Sequence, residues 1–289
     1  MSIDLNLFGA LQYLWSFEFM QHAIETGTMI AVIAGVTGYF VVLRRSAFTA
    51  HAFSEIGFAG ASGAILLGIA PTAGLLVGSI LGGLTIAALG RRAANRDTQI
   101  GIVLAFALGL GLLFISLYRA FDTAAISILF GEILGISSGQ VLLTAIAAVV
   151  ILVVVGVLYR PLLFASLDED VAEAKGMPML FLGTAFLLVV AVAVSFAVQV
   201  TGVLLIFSLM VTPAATAQYL SRRPMWGMLL SVGIALMATW VGLLVGFYTP
   251  YPVSFFITTI VFSLYILVRM VRWGMKRKAP RGVGPLKSS

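Results

Sequence analysis

The sequence predicts an all-α, polytopic membrane protein of about nine transmembrane helices. Three observations carry the prediction. Hydrophobic residues make up 61% of the 289 positions and charged residues only 10%, with a mean hydropathy of +1.11; a soluble domain is about 25% charged. Apolar stretches long enough to cross the hydrocarbon of a bilayer, about 20 residues each, recur along the whole chain. Basic residues gather in alternate gaps between those stretches, as cytoplasmic loops require.

The stretches run over 20–42, 49–68, 72–90, 98–118, 139–159, 178–198, 200–220, 224–247 and 251–272. Eight spans is the alternative count. The segments 178–198 and 200–220 are separated by almost nothing, and 49–68 carries two ionisable side chains. Two further pieces read as helical without spanning. Residues 3–16 are amphipathic, with Leu5, Leu7, Leu11 and Trp15 available to lie in the interface. Residues 123–135 are too short to cross and carry Glu132, which reads as a half-helix or re-entrant piece. The N-terminal stretch Met1 to Phe19 is interrupted by Asp4 and Glu18 and has no basic leader, so it does not read as a cleavable signal.

Charge sets the orientation. Arg44 and Arg45, then Arg91, Arg92 and Arg96, then Arg160 and Lys175, then Arg222 and Arg223 fall on one side. The C-terminal basic group from Arg269 to Lys287 follows, and Arg119 alone falls opposite. This places the N-terminus outside and the C-terminus in the cytoplasm. A transmembrane domain over 1–275 and a disordered cytoplasmic tail over 276–289 are expected. The formal charge of +6 is accounted for by this placement and does not indicate nucleic-acid binding. Gly74, Gly78 and Gly82 form a smooth stripe on which a second helix can pack, and Pro213 falls inside a span and should kink it.

Several chemistries are excluded or disfavoured. With no cysteine there is no disulfide, thiolate metal site or cysteine nucleophile. No G-x-x-x-x-G-K-[ST] loop is present, so the chain binds no ATP in that manner. Gly60-Ala61-Ser62-Gly63 matches the G-x-S-G of intramembrane serine proteases. Both histidines precede that serine, against the usual order of nucleophile and base, and small-residue helices produce the match by chance.

Ionisable groups inside a span are expensive and face the protein interior or a wet cavity. His51 and Glu55 stand four residues apart near the start of the second span, so they share one helix face. An imidazole and a carboxylate suit Zn²⁺, Mn²⁺ or Fe²⁺; the plainer reading is a structural hydrogen bond between the two. His22 and Glu25 lie at the outer edge of the first span and read as interfacial. Loop 160–177 is acidic through Asp168, Glu169, Asp170 and Glu173, where a bilayer surface favours basic residues. Asp168 or Asp170 as cap and a stop at Gly176 predict a short helix through Ala172 to Lys175. An acidic helix on the cytoplasmic face suggests docking to a partner; a solvated loop is the alternative.

Residues 43–60, L-R-R-S-A-F-T-A-H-A-F-S-E-I-G-F-A-G, resemble the R-R-x-x-x-x-G-D-x-x-x-H-x-x-x-x-G stretch of the ABC-3 metal permeases. These are the membrane subunits of ATP-binding-cassette importers for zinc, manganese and iron. The resemblance extends to Leu129-Phe130-Gly131-Glu132, similar to the family's L-F-G-[DS]. Ser166 to Gly176 resembles its D-x-x-x-A-x-x-x-G coupling helix, and the run from Gly202 to Ala217 its G-x-L-L…P-A-A-T-A helix. His51 stands where the family has Asp, and Glu55 where it has His. The exchange keeps one carboxylate and one imidazole but leaves the choice of metal open.

The resemblance implies a type II importer fold and a permease subunit, with ATP hydrolysis on a separate cytoplasmic ATPase. It implies a metal-binding protein outside and a second permease chain, identical or a close paralogue, enclosing the path. His51 and Glu55 would form a transient metal gate, with no permanently bound cofactor. Asp168, Glu169, Asp170, Ala172, Glu173 and Gly176 would contact the ATPase, and Glu132 and Pro213 would line or shape the pathway. A stand-alone secondary transporter is the rival reading; an odd span count and the lack of a visible repeat disfavour it.

Overall fold

The computed structural model describes residues 16–88, 93–118, 131, 133 and 135–278. Within them lie nine long helices and one short one, in the order α1 (Glu18–Leu43), α2 (Ala47–Leu66), α3 (Pro71–Ala88), α4 (Ala93–Ser116), α5 (Ser138–Leu167), α6 (Glu169–Ala174), α7 (Met179–Thr201), α8 (Val203–Leu220), α9 (Pro224–Tyr248) and α10 (Val253–Lys278). The chain is all-α, and each of the nine apolar stretches has its helix. Among the described residues seven helices are long and apolar enough to cross a membrane. α2 is not among them, being diluted by His51, Glu55 and small residues, and α8 is an uncharged helix of 18 residues that follows α7 after Gly202 alone.

α1 is the central helix. It packs against α9, α8, α5 and α7, while α2, α3 and α4 form a cluster beyond it and α10 covers α8 and α9. Its buried face holds Ile30, Ile33, Ala34 and Phe40, each almost fully enclosed. The opposite pattern holds on the periphery. Val149, Val153 and Val157 of α5, Ile102 and Phe106 of α4, and Phe255 and Phe262 of α10 are all exposed. A protein whose exterior is this apolar is solvated by lipid.

Helix ends follow the local chemistry. Ser137 caps α5 in a reciprocal box: its hydroxyl accepts from the Gln140 amide, and the Gln140 side chain accepts from the Ser137 amide at 2.9 Å. α5 departs from expectation at its far end. The span expected to stop at 159 continues through Arg160 and Pro161 to Leu167, a helix of 30 residues or about 45 Å. Leu162 and Ala165 are buried there, and that packing outweighs the backbone bond lost at Pro161. Most of the expected acidic loop is therefore helix. α10 likewise runs on to Lys278, past the expected domain end at 275. Pro213 sits inside α8 without ending it.

Two junctions are tight. α7 and α8 are separated by Gly202 alone, at φ 81° and ψ 161°, a conformation that glycine adopts without a Cβ penalty. Gly131, at φ 71°, is seated on that junction: a Cβ on it would lie 2.4 Å from the Gly202 nitrogen and 2.6 Å from the Val200 carbonyl oxygen. All but the last residue of the expected interfacial helix over 3–16, Glu132 with most of the expected re-entrant piece over 123–135, Arg119, and the tail beyond Lys278 lie outside the described residues.

Candidate functional site: a histidine–glutamate pair on α2

α2 is placed by contacts that only small residues permit. Gly60 faces Gly74 and Gly78 of α3 so closely that a Cβ on Gly60 would lie 2.2 Å from the Gly74 carbonyl oxygen. The glycine stripe of α3 is thus a packing face against α2. Ser79 of α3 donates to the Phe53 carbonyl at 3.3 Å, a further tie between the same two helices. Ser62 is buried and donates to the Phe58 carbonyl at 2.8 Å, the ordinary i−4 bond of a helical serine, so nothing marks it as a nucleophile.

With α2 pinned on that side, His51 and Glu55 lie one turn apart and half-buried. Ser54 donates to the His51 carbonyl at 2.7 Å. The imidazole meets the ring of Phe207 on α8 edge-on, with centroids 5.3 Å apart and planes at 67°. Its Nδ1 is buried and has no hydrogen-bond partner among the described residues. No hydrogen bond or ion pair joins His51 to Glu55 among the described residues, so the plain structural-contact reading lacks its bond.

An imidazole held by an aromatic edge, with its ring nitrogen unpaired, differs from a resident metal ligand. Such a ligand usually donates its second nitrogen to a carboxylate or carbonyl, which fixes the ring and raises its basicity. Two donors are also too few for a first-row ion, which takes four or more. Among the described residues no group of three or more His, Cys, Asp or Glu side chains could hold a metal.

The acidic segment lies at the other end of α5. Asp168 ends α5 and caps α6, its carboxylate accepting from the Val171 amide at 3.0 Å. Lys175 follows as the C-cap and Gly176 adopts φ 77°, so the helix stops where the sequence places its stop. Glu169, Asp170 and Glu173 are exposed, while Ala172 is fully buried against a small cluster of Ala165, Met179 and Leu182. The Lys175 ammonium lies 5.0 Å from the centroid of the Phe164 ring. An acidic surface is thereby held on an apolar foot.

His22 is anchored rather than merely interfacial: its Nδ1 lies 3.0 Å from the Ile136 carbonyl, tying α1 to the start of α5. Sequence reasoning missed Phe207, which neighbours His51 from 156 positions away. It also missed the contact of Arg44 with Ser166, 122 positions apart. No local pattern signals either.

The comparisons agree with this architecture. Residues 16–272 match the model of the ABC 3 transport family. The chain is 31% identical over 236 residues to the manganese import system permease protein ScaB of Streptococcus parasanguinis, covering 81% of this chain and 84% of that one. It is 30% identical over 244 residues to the manganese transport system membrane protein MntC of Listeria monocytogenes, covering 83% and 85%. Among solved structures, a chain of PsaBC from Streptococcus pneumoniae in complex with Fab superposes with a TM-score of 0.82 at 27% identity, covering 91% of this chain and 95% of that one. With the family model spanning nearly every described helix, the chain belongs to the ABC 3 transport family as a multi-pass membrane protein.

Proposed function

We propose that the chain is the permease subunit of an ATP-driven importer of a divalent first-row metal ion, working by alternating access in a bacterial cytoplasmic membrane. The observation that carries the proposal is the half-buried His51–Glu55 pair on α2, two metal-capable side chains on one face with no hydrogen bond or ion pair between them. Their types suit Mn²⁺, Zn²⁺ or Fe²⁺. Mn²⁺ is favoured because ScaB and MntC carry manganese in their names.

A pathway site must bind and release. Two weak donors from each of two permease chains would make a four-ligand set that exists only while the chains are suitably opposed, and rocking them apart would free the ion. The acidic face of α6 is the docking surface for a separate ATPase, and an extracytoplasmic binding protein delivers the ion on the opposite face. Arg44, Arg160, Lys175, Arg222 and Arg223 then lie on the cytoplasmic side. The contact of Arg44 with Ser166 supports a common side for the ends of α1 and α5.

Reconstitution tests the proposal. The permease with its ATPase should take up metal when ATP is supplied, and the permease alone should be inert. Uptake by the permease alone, driven by an ion gradient, would instead establish secondary transport. Reversing Asp170 and Glu173 to lysine should abolish assembly or stimulated hydrolysis while the permease still inserts. Unchanged coupled hydrolysis in that variant would remove α6 as the docking surface.

A further inference from the structure

Arg44 occupies the junction between α1 and α2. It caps α1, its amide donating to the Phe40 carbonyl at 2.8 Å. Its guanidinium reaches across to two other helices. Nη1 lies 3.5 Å from the Ser166 hydroxyl on α5, and Cζ sits 5.2 Å from the centroid of the buried Phe186 ring on α7. Ser166 in turn donates to the Leu162 carbonyl at 2.5 Å, which orients its oxygen as an acceptor for the arginine.

The same two helix ends carry α6. Ala172 of α6 packs with Ala165 and Leu182, the immediate neighbour of Ser166 and the residue one turn before Phe186. Arg44 thus grips the α5–α7 pair one layer from where α6 rests on it. On its other side Arg44 begins the turn into α2. Arg45 takes φ 54°, the Ser46 amide donates to the Val41 carbonyl at 2.8 Å, and the Ser46 hydroxyl donates to the Arg44 carbonyl at 3.2 Å. A non-glycine residue in that conformation persists only where its surroundings fix it. The turn is thus held by those hydrogen bonds, and α2 with His51 starts directly after it.

We propose that Arg44 is a positioning residue that links the cytoplasmic docking helix to the metal pair: it converts displacement of α6 and the ends of α5 and α7 into movement of α2, and so of His51 and Glu55. The inference rests on the proposed roles of α6 and the metal pair. Its content beyond them is that coupling runs through the guanidinium contacts with Ser166 and Phe186. Arginine suits the task because its planar group can hydrogen-bond and stack on an aromatic ring together.

The test uses the permease–ATPase complex in lipid nanodiscs and proteoliposomes, with Mn²⁺ as the probe. Wild type, Arg44→Ala, Arg44→Lys, Ser166→Ala and His51→Ala are compared for assembly, ATP hydrolysis and metal moved per ATP hydrolysed. Arg44→Ala should assemble with the ATPase and hydrolyse ATP, while metal moved per ATP falls at least about tenfold. Arg44→Lys should recover part of the ratio by keeping a cation over Phe186, and Ser166→Ala should lower it less. An unchanged transport ratio in Arg44→Ala overturns the inference. Loss of assembly in both Arg44 variants also overturns it, because the residue would then merely support α6. Should Arg44→Ala not fold, a wild-type ratio in both Arg44→Lys and Ser166→Ala overturns it. His51→Ala separates this from the underlying reading: normal transport there discards the metal pair, whereas lost transport beside a normal Arg44→Ala discards only the link.

Discussion

Adding one methyl group at Gly60 should disturb both stability and transport, and the structure sets the size of the effect. A Cβ there would lie 2.2 Å from the Gly74 carbonyl oxygen and 3.0 Å from the Gly78 Cα. A carbon and a carbonyl oxygen rest at about 3.3 Å or more, so α2 and α3 must separate by about 1 Å. Both partners are backbone atoms, and no rotamer change relieves the clash. Overpacking of this kind costs about 1–3 kcal/mol. The displaced helix is the one that bears His51 and Glu55, and a misplacement of about 1 Å at a reacting site can lower a rate by about a hundredfold. Thermal unfolding of Gly60→Ala in detergent, with metal uptake per folded molecule, measures both effects. Gly156→Ala is the control: nothing lies within 4 Å of its Cβ position, and alanine is the better helix former by about 1 kcal/mol. If Gly60→Ala unfolds at the same temperature as Gly156→Ala, the close packing of α2 on α3 is wrong.

Arg45→Gly should raise the unfolding temperature modestly: removing a side chain from φ 54° relieves about 1–2 kcal/mol, partly offset by glycine's greater freedom in the unfolded chain. A lower unfolding temperature would show that the Arg45 side chain holds the turn. Asp168→Ala removes the cap of α6, a loss of about 1 kcal/mol, and should speed hydrogen exchange at the Val171 amide about fivefold; unchanged exchange would mean the cap does not hold the helix. The cysteine-free chain allows a clean topology test. Leu67→Cys, in the exposed turn after α2, should be labelled by a membrane-impermeant maleimide on intact cells, and Asp170→Cys only after permeabilisation; the reverse pattern would invert the proposed orientation.

Much of the fold was legible because lipid imposes a simple requirement. A spanning helix must be apolar for about 20 residues, and that periodicity-free signal survives in a single sequence. Helix ends were less legible. Arg160 and Pro161 read as the end of a span, yet the apolar Leu162 to Ala165 face continues to pack and carries α5 on to Leu167. The stop of α6 was readable, since an aspartate cap and a following glycine are local chemistry. The candidate site was half legible for the same reason. His51 and Glu55 share a face by spacing alone, whereas Phe207 and the Arg44–Ser166 contact arise from distant segments brought together by folding. The unpaired Nδ1 could not have been foreseen, because it depends on what α8 places beside the ring.

On the proposed mechanism His51 and Glu55 handle the transported ion. Uptake of Mn²⁺, Zn²⁺ and Fe²⁺, normalised to folded and ATPase-bound permease, tests it most directly. His51→Ala and Glu55→Ala should each abolish normalised uptake while assembly is retained. The exchange His51→Asp with Glu55→His should keep partial transport and alter preference among the three ions, since it returns the same two donors to one helix face in the opposite order. Normalised uptake at the wild-type level in both alanine variants would show that neither residue handles the ion.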